Sequence, residues 1–223
     1  MGRFKDPLAP QPPPSPSRED SREIVEAIVA AAVELADPNV TLNAIAERAG
    51  VGVASVYRYF PSKGAIYAEI SRRLHRKFLE QLRCVLAEPP GDLRGAVRKV
   101  CEVVVVGPAI SPALRRCLNV IIPVSWSQES ADDVFGAAIR EITAWLTANI
   151  PSPPDNLAER VFVAFSAGRG LVAMSMVFPD LAPSSEALID HMTRGTLCFL
   201  VGDDGATTGL PAAARTRAED VEG

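Results

Sequence analysis

Histidine is scarce in this chain, and its scarcity excludes a good deal. Only His75 and His191 occur in 223 residues, far apart, and the four cysteines, Cys84, Cys101, Cys117 and Cys198, stand at wide spacings with no close pair. Such spacing fits neither a metal-ligand cluster nor a disulfide framework. Cysteines within apolar helical patterns read instead as reduced thiols packed in a core. There is no G-x-S-x-G elbow and no glycine loop of the kind that cradles phosphates. Nucleophilic, acid–base and metal catalysis therefore lack a constellation, and neither an enzyme nor a cofactor is expected. An excess of positive charge is also missing: the formal net charge is −4, so any nucleic-acid site must be local. Nor does an uninterrupted apolar run reach the roughly 18 residues that span a bilayer, and the N-terminal stretch has no apolar secretion core. A cytoplasmic chain with no membrane partner is the expectation.

What is present is a chain with 48% hydrophobic residues, enough for a sizeable core. Proline is concentrated at one end, with Pro7, Pro10, Pro12, Pro13, Pro14 and Pro16 within residues 1–17. That density forbids helix and predicts a disordered arm. Residues 203–223 lack periodicity and read as a second flexible tail. Between them the apolar residues recur at helical spacing, and no segment alternates with period two. The pattern predicts an all-α protein with helices over about 18–35, 41–49, 53–59, 63–87, 92–106, 112–127, 131–149, 157–178 and 185–201. The run Val103-Val104-Val105-Val106 would suit a buried strand by itself, but helical neighbours on both sides favour helix.

The stretch from Thr41 to Lys63, TLNAIAERAGVGVASVYRYFPSK, carries the most information. Thr41 is placed to cap a short helix with Leu42, Ile45, Ala46 and Ala49 facing inward, and Gly50 supplies the left-handed residue that ends it. Gly52 and Val53 open a second short helix after a tight turn, which is the spacing of a helix-turn-helix. If Val56 and Phe60 are buried, then Val53, Ala54, Ser55, Tyr57 and Arg58 point outward. Small residues let a backbone approach a groove, arginine reads guanine edges, and apolar groups meet thymine methyls. Tyr59 and Lys63 are placed to donate to phosphates. From Arg48 to Arg83 eight cations face two anions, a local +6 that leaves −10 for the rest of the chain. Arg72, Arg73, Arg76 and Lys77 within it read either as part of a positive field or as a solvated helix face.

The pattern T-x-x-x-I-A-x-x-A-G-V-x-x-x-x-x-Y-x-Y-F-x-x-K resembles the DNA-binding domain of the TetR family of bacterial repressors. The resemblance implies an N-terminal helix-turn-helix domain over 18–64, joined by a long fourth helix to a helical ligand-binding and dimerisation domain over 65–202. It implies phosphate contacts from Thr41, Ser55, Tyr59 and Lys63, a recognition-helix role for Tyr57, and sequence reading by Asn43, Val53, Ala54 and Arg58. The implied partners are a pseudo-palindromic double-stranded operator, a second copy of the chain, and a small effector that releases a repressor from DNA.

In the C-terminal part, residues 157–178 are apolar almost all round, which suits a helix covered on one side by its own domain and on the other by a partner. With the helix over 185–201 it is expected to form half of an intersubunit four-helix bundle, using Ala164, Gly168, Leu171, Leu188, Met192 and Phe199. Arg169 would pair with an acidic residue such as Glu186 or Asp190, or else contact a ligand. Candidate pocket walls are Phe78, Cys101, Val103, Cys117, Ile121, Trp126 and Trp145, a set that favours a mainly apolar ligand.

Overall fold

The computed structural model describes residues 19–88, 92–122, 124–150 and 152–201. The proline-rich arm and the C-terminal tail lie outside the described residues. Among those described there are only helices and connecting turns: α1 (Glu19–Leu35), α2 (Leu42–Ala49), α3 (Val53–Tyr59), α4 (Lys63–Ala87), α5 (Leu93–Val106), α6 (Pro112–Ile121), α7 (Val124–Asn149), α8 (Leu157–Val177) and α9 (Ser185–Val201). The valine run at 103–106 is the last turn of α5, as its neighbours required.

Two of the expected boundaries moved. A break was expected near residues 128–130, whereas α6 ends at Ile121 and α7 runs unbroken from Val124 to Asn149. Pro123 accounts for it. The residue before a proline is pushed out of the helical region, and Ile122 sits at φ −96°, ψ 115°. The chain also divides into two compact units that interleave along the sequence. Unit 1 takes the described residues to Gln81 together with Pro108–Ala138, and unit 2 takes Leu82–Gly107 together with Ile139 onward.

In unit 1, α1, α2 and α3 pack on one another around Ile28, Ala32, Ile45, Val56 and Phe60, with Ile66 and Tyr67 of α4 and Leu114 and Cys117 of α6 completing the core. The Tyr67 hydroxyl, wholly buried, donates to the Ala32 carbonyl at 3.3 Å and adjoins the Cys117 thiol. Burial raises the pKa of both groups, so both stay neutral.

In unit 2, α5, α8 and α9 pack mutually. Arg98 on α5 pairs with Glu186 and Asp190 on α9 and with Glu102 one turn along α5. The acidic partners expected for Arg169 are thus engaged by Arg98, which faces α9 across the α5–α9 contact. Arg160 donates to the Phe199 and Leu200 carbonyls, both at 3.3 Å, and so caps the end of α9. Two of the thiols expected in a core, Cys84 and Cys198, are exposed, while Cys101 and Cys117 are buried. The small cysteine side chain in an apolar pattern does not by itself specify the inner face. By length and a mean hydropathy of 1.3, α8 is long and apolar enough to cross a membrane, although no wholly uninterrupted apolar run was found in it. Its inner stripe of Val161, Ala164, Phe165, Gly168 and Val172 is buried within unit 2.

Candidate nucleic-acid interface and apolar cavity

The helix-turn-helix is built from its caps inward. The Thr41 hydroxyl oxygen accepts from the Ala44 amide at 3.1 Å and starts α2. Gly50, at φ 68°, ψ 26°, closes it with amide bonds back to the Ala46 and Glu47 carbonyls. A side chain at that φ would be strained, which is why the turn carries glycine there. Gly52 then leads into α3 without a side-chain cap. Ile45 and Val56 are wholly buried and Phe60 is 1% exposed, so three apolar side chains lock α3 against α2 and α1. Burying each contributes about 1.5–3 kcal/mol.

This packing decides which side chains face outward. Val53, Ala54, Tyr57 and Arg58 are exposed along one side of α3, Tyr57 at 55%, and Thr41 and Asn43 are exposed at the start of α2. Ser55, Tyr59 and Lys63 are partly buried. The Tyr59 ring packs against the unit 1 core. Lys63 has a role that its spacing did not suggest: its ammonium donates to the Pro38 carbonyl at 2.5 Å. Pro38 belongs to a turn held by the Asp37 carboxylate, which accepts from the Asn39 amide at 2.8 Å. The α1–α2 turn is thereby tied to the start of α4.

The basic stretch is largely paired within the protein. Arg48 pairs with Glu34, and Arg83 pairs with Glu141 within unit 2. Glu69, nearly buried, accepts from Arg72 at 3.0 Å and Arg73 at 2.9 Å, and Arg73 also binds Glu26 in two-pronged fashion at 2.6 and 2.8 Å. Hydrogen bonds to Glu26, ahead of the smaller opposing effect of burial, raise the Arg73 pKa. For Arg72 and Arg73 the structure shows neither a free positive field nor a solvated helix face, but partly buried pairs with Glu69 and Glu26.

Unit 2 contains a cavity of about 60 Å³, several times the space one water needs. Its walls come from the end of α4 and from α5, α7, α8 and α9, and include Val97, Cys101, Val104, Trp145, Phe165, Met192 and Thr196. Burial raises the Cys101 thiol pKa, against the opposing pull of hydrogen bonds with Thr193 and Thr196.

Two of the seven expected wall residues, Cys101 and Trp145, line this cavity. The others are placed differently. Phe78 packs edge-to-face on Phe135 at 5.8 Å in unit 1, and Cys117 and Ile121 belong to the unit 1 core because α6 folds onto the helix-turn-helix. Val103 is not a wall although its neighbour Val104 is, since adjacent helical positions lie about a third of a turn apart. The Trp126 side chain lies outside the described residues. Of the six residues expected at a subunit interface, Leu171 and Phe199 are exposed, each at 44%. Ala164, Gly168, Leu188 and Met192 are instead buried inside unit 2, where the small residues of α8 admit α5 and α9. Met192 and Ala164 line the cavity, as do Thr196 and Leu200. The signal for that face was present as Val97, Cys101 and Val104 on α5 and Met192, Thr196 and Leu200 on α9, both at helical spacing.

Residues 28–70 match the family described as bacterial regulatory proteins, tetR family. No curated protein matches the chain in sequence. Among solved structures, the fold is similar to that of a tetR-family transcriptional regulator from Streptomyces coelicolor, with 19% identity, 78% of this chain and 81% of that one covered, and a TM-score of 0.60. It is similar to the fatty acid degradation regulator FadR from Bacillus halodurans (14% identity, 82% and 97% covered, TM-score 0.53). The TetR-like regulator LfrR from Mycobacterium smegmatis, in complex with proflavine, is a third (20% identity, 82% and 99% covered, TM-score 0.52).

Proposed function

We propose that this chain, whose residues 28–70 are a tetR-family helix-turn-helix, is a cytoplasmic transcriptional repressor that binds a pseudo-palindromic operator as a homodimer and is released by a small, mainly apolar effector. The observation that carries it is the outer side of α3, where Val53, Ala54, Tyr57 and Arg58 stand exposed while Val56 and Phe60 fix the helix from beneath. DNA reading is assigned to residues 18–64, with ligand binding and dimerisation in 65–202. Thr41, Ser55, Tyr59 and Lys63 are the phosphate anchors; Asn43, Val53, Ala54, Tyr57 and Arg58 set the preference.

Dimerisation is supported by the outer stripe of α8. Phe162, Met174 and Val177 on α8 and Phe178 just past its end are each more than half exposed, and Gly170 has open space where a side chain would stand. A large apolar patch of this kind marks an interface, and a second copy presenting the same stripe about a two-fold axis covers it isologously. The cavity supports effector control: a ligand that binds better to the conformation unable to span both half-sites lowers operator affinity by its differential affinity for the two states. The fold is shared with LfrR, which was captured with proflavine, a small-molecule ligand.

Selection of bound duplexes from a random pool by the full chain tests the reading. An enriched inverted repeat with two half-sites is expected, and Tyr57→Ala abolishes the enrichment. Recovery of no common sequence overturns it.

A further inference from the structure

We infer that the unit 2 cavity selects an uncharged ligand carrying one hydrogen-bonding group, and that Met192, seated over Gly168, sets the ligand's length. The inference rests on the reading of this cavity as the effector site. Of its wall residues only Cys101, Thr196 and Trp145 carry a polar side-chain group. Burial keeps the Cys101 sulfur in its thiol form, so the cavity presents no formal charge. Along α5 and α9, Arg98 is matched with Glu186, Asp190 and Glu102, and among the described residues no charged one lines the cavity. A carboxylate or ammonium entering it would lose its water without gaining a partner, a loss larger than several buried methylenes return. A neutral hydroxyl or carbonyl loses far less, and the Thr196 hydroxyl can meet it as donor or acceptor.

The length limit follows from Gly168. A Cβ there would collide with Cε of Met192 and sit 3.7 Å from Val104 Cγ1. The Met192 methyl thus lies directly over the glycine, and Met192 is itself among the cavity walls. Methionine is unbranched and adaptable, so its tip is the part of the wall that yields or is displaced.

The test uses the full chain carrying Trp126→Phe, which leaves Trp145 as the single tryptophan of the two in the sequence. Trp145 emission is followed during titration with octan-1-ol, octanoate and octylammonium at pH 7, and operator affinity is measured alongside. Octan-1-ol is expected to bind at least about tenfold more tightly than either ion, a difference of about 1.4 kcal/mol or more. With hexan-1-ol, octan-1-ol and decan-1-ol compared, Met192→Ala shifts the preference to the longer alcohol and Gly168→Ala to the shorter. Equal or tighter binding of an ion, or no emission change with any of the three probes, overturns the ligand class. An unchanged chain-length preference in Met192→Ala, folded by circular dichroism, overturns the length assignment. Octan-1-ol binding that leaves operator affinity unchanged upholds the ligand class and removes effector control from the proposed function.

Discussion

Single side chains in unit 1 carry more than their sequence pattern suggests. Lys63 reads as a phosphate anchor by its spacing from Tyr59, yet its ammonium also holds the Pro38 carbonyl. Removing it should therefore weaken DNA binding and destabilise the fold together. For Lys63→Ala we expect a loss of about 1 kcal/mol in chemical denaturation without DNA, the usual net worth of such a bond. An unchanged midpoint would mean that the Pro38 contact contributes nothing. Tyr67, Cys101 and Cys117 predict the pH dependence. Burial raises all three pKa values in the folded state. Their neutral forms stabilise the fold below the unfolded values of about 8.5 for thiols and about 10 for the phenol, and that stability is lost as pH rises beyond them. Thermal midpoints should hold from pH 7 to 8 and fall towards pH 10.5, with a shallower fall in Tyr67→Phe. None of this was legible beforehand, because a contact between residues 63 and 38, or 67 and 117, depends on how the helices pack.

At the scale of the element, the caps were legible and the faces were only half so. Thr41 and Gly50 announce the ends of α2 because capping is chemistry local to a few residues. Gly50→Ala should cost about 1 kcal/mol through its left-handed backbone, a loss visible in the unfolding midpoint. The end of α1 shows the converse: Ala36 stands at φ 41°, where glycine is usual. Ala36→Gly should then leave stability unchanged or raise it by up to about 1 kcal/mol, and a clear loss would show that the strain at Ala36 is negligible. Pro123 marks the break between α6 and α7, whereas the helix ranges expected from the sequence placed it near residues 128–130. On α8 the hydrophobic periodicity was too even to separate its two sides, so buried Ala164 and Gly168 were assigned to a partner while exposed Phe162 and Met174 were not.

Over the whole molecule, charge and assembly are the properties to test. The +6 along the helix-turn-helix and α4 is offset by Glu26, Glu34, Glu69 and Glu141 through folding contacts. Salt dependence of operator binding should then come from few cations: Lys63→Ala should reduce the slope by about 0.9 per subunit, and Arg73→Ala should leave it unaltered. An equal reduction from Arg73→Ala would show that its pairs to Glu26 and Glu69 open on DNA. Phe162→Glu on the outer stripe of α8 should weaken dimerisation by about 2 kcal/mol, read by sedimentation equilibrium, and leave the monomer folded.

Helix content, the caps of α2, the helix-turn-helix and its tetR likeness were set by local pattern, because propensity, capping and hydrophobic period act over a turn or two of chain. The cavity walls, the inner face of α8, the attachment of α6 to the helix-turn-helix core and the partners of the arginines were decided by tertiary structure. Each of these joins residues distant in sequence, and an apolar side chain at helical spacing satisfies the same local pattern whether it meets a neighbouring helix, a ligand or a second subunit.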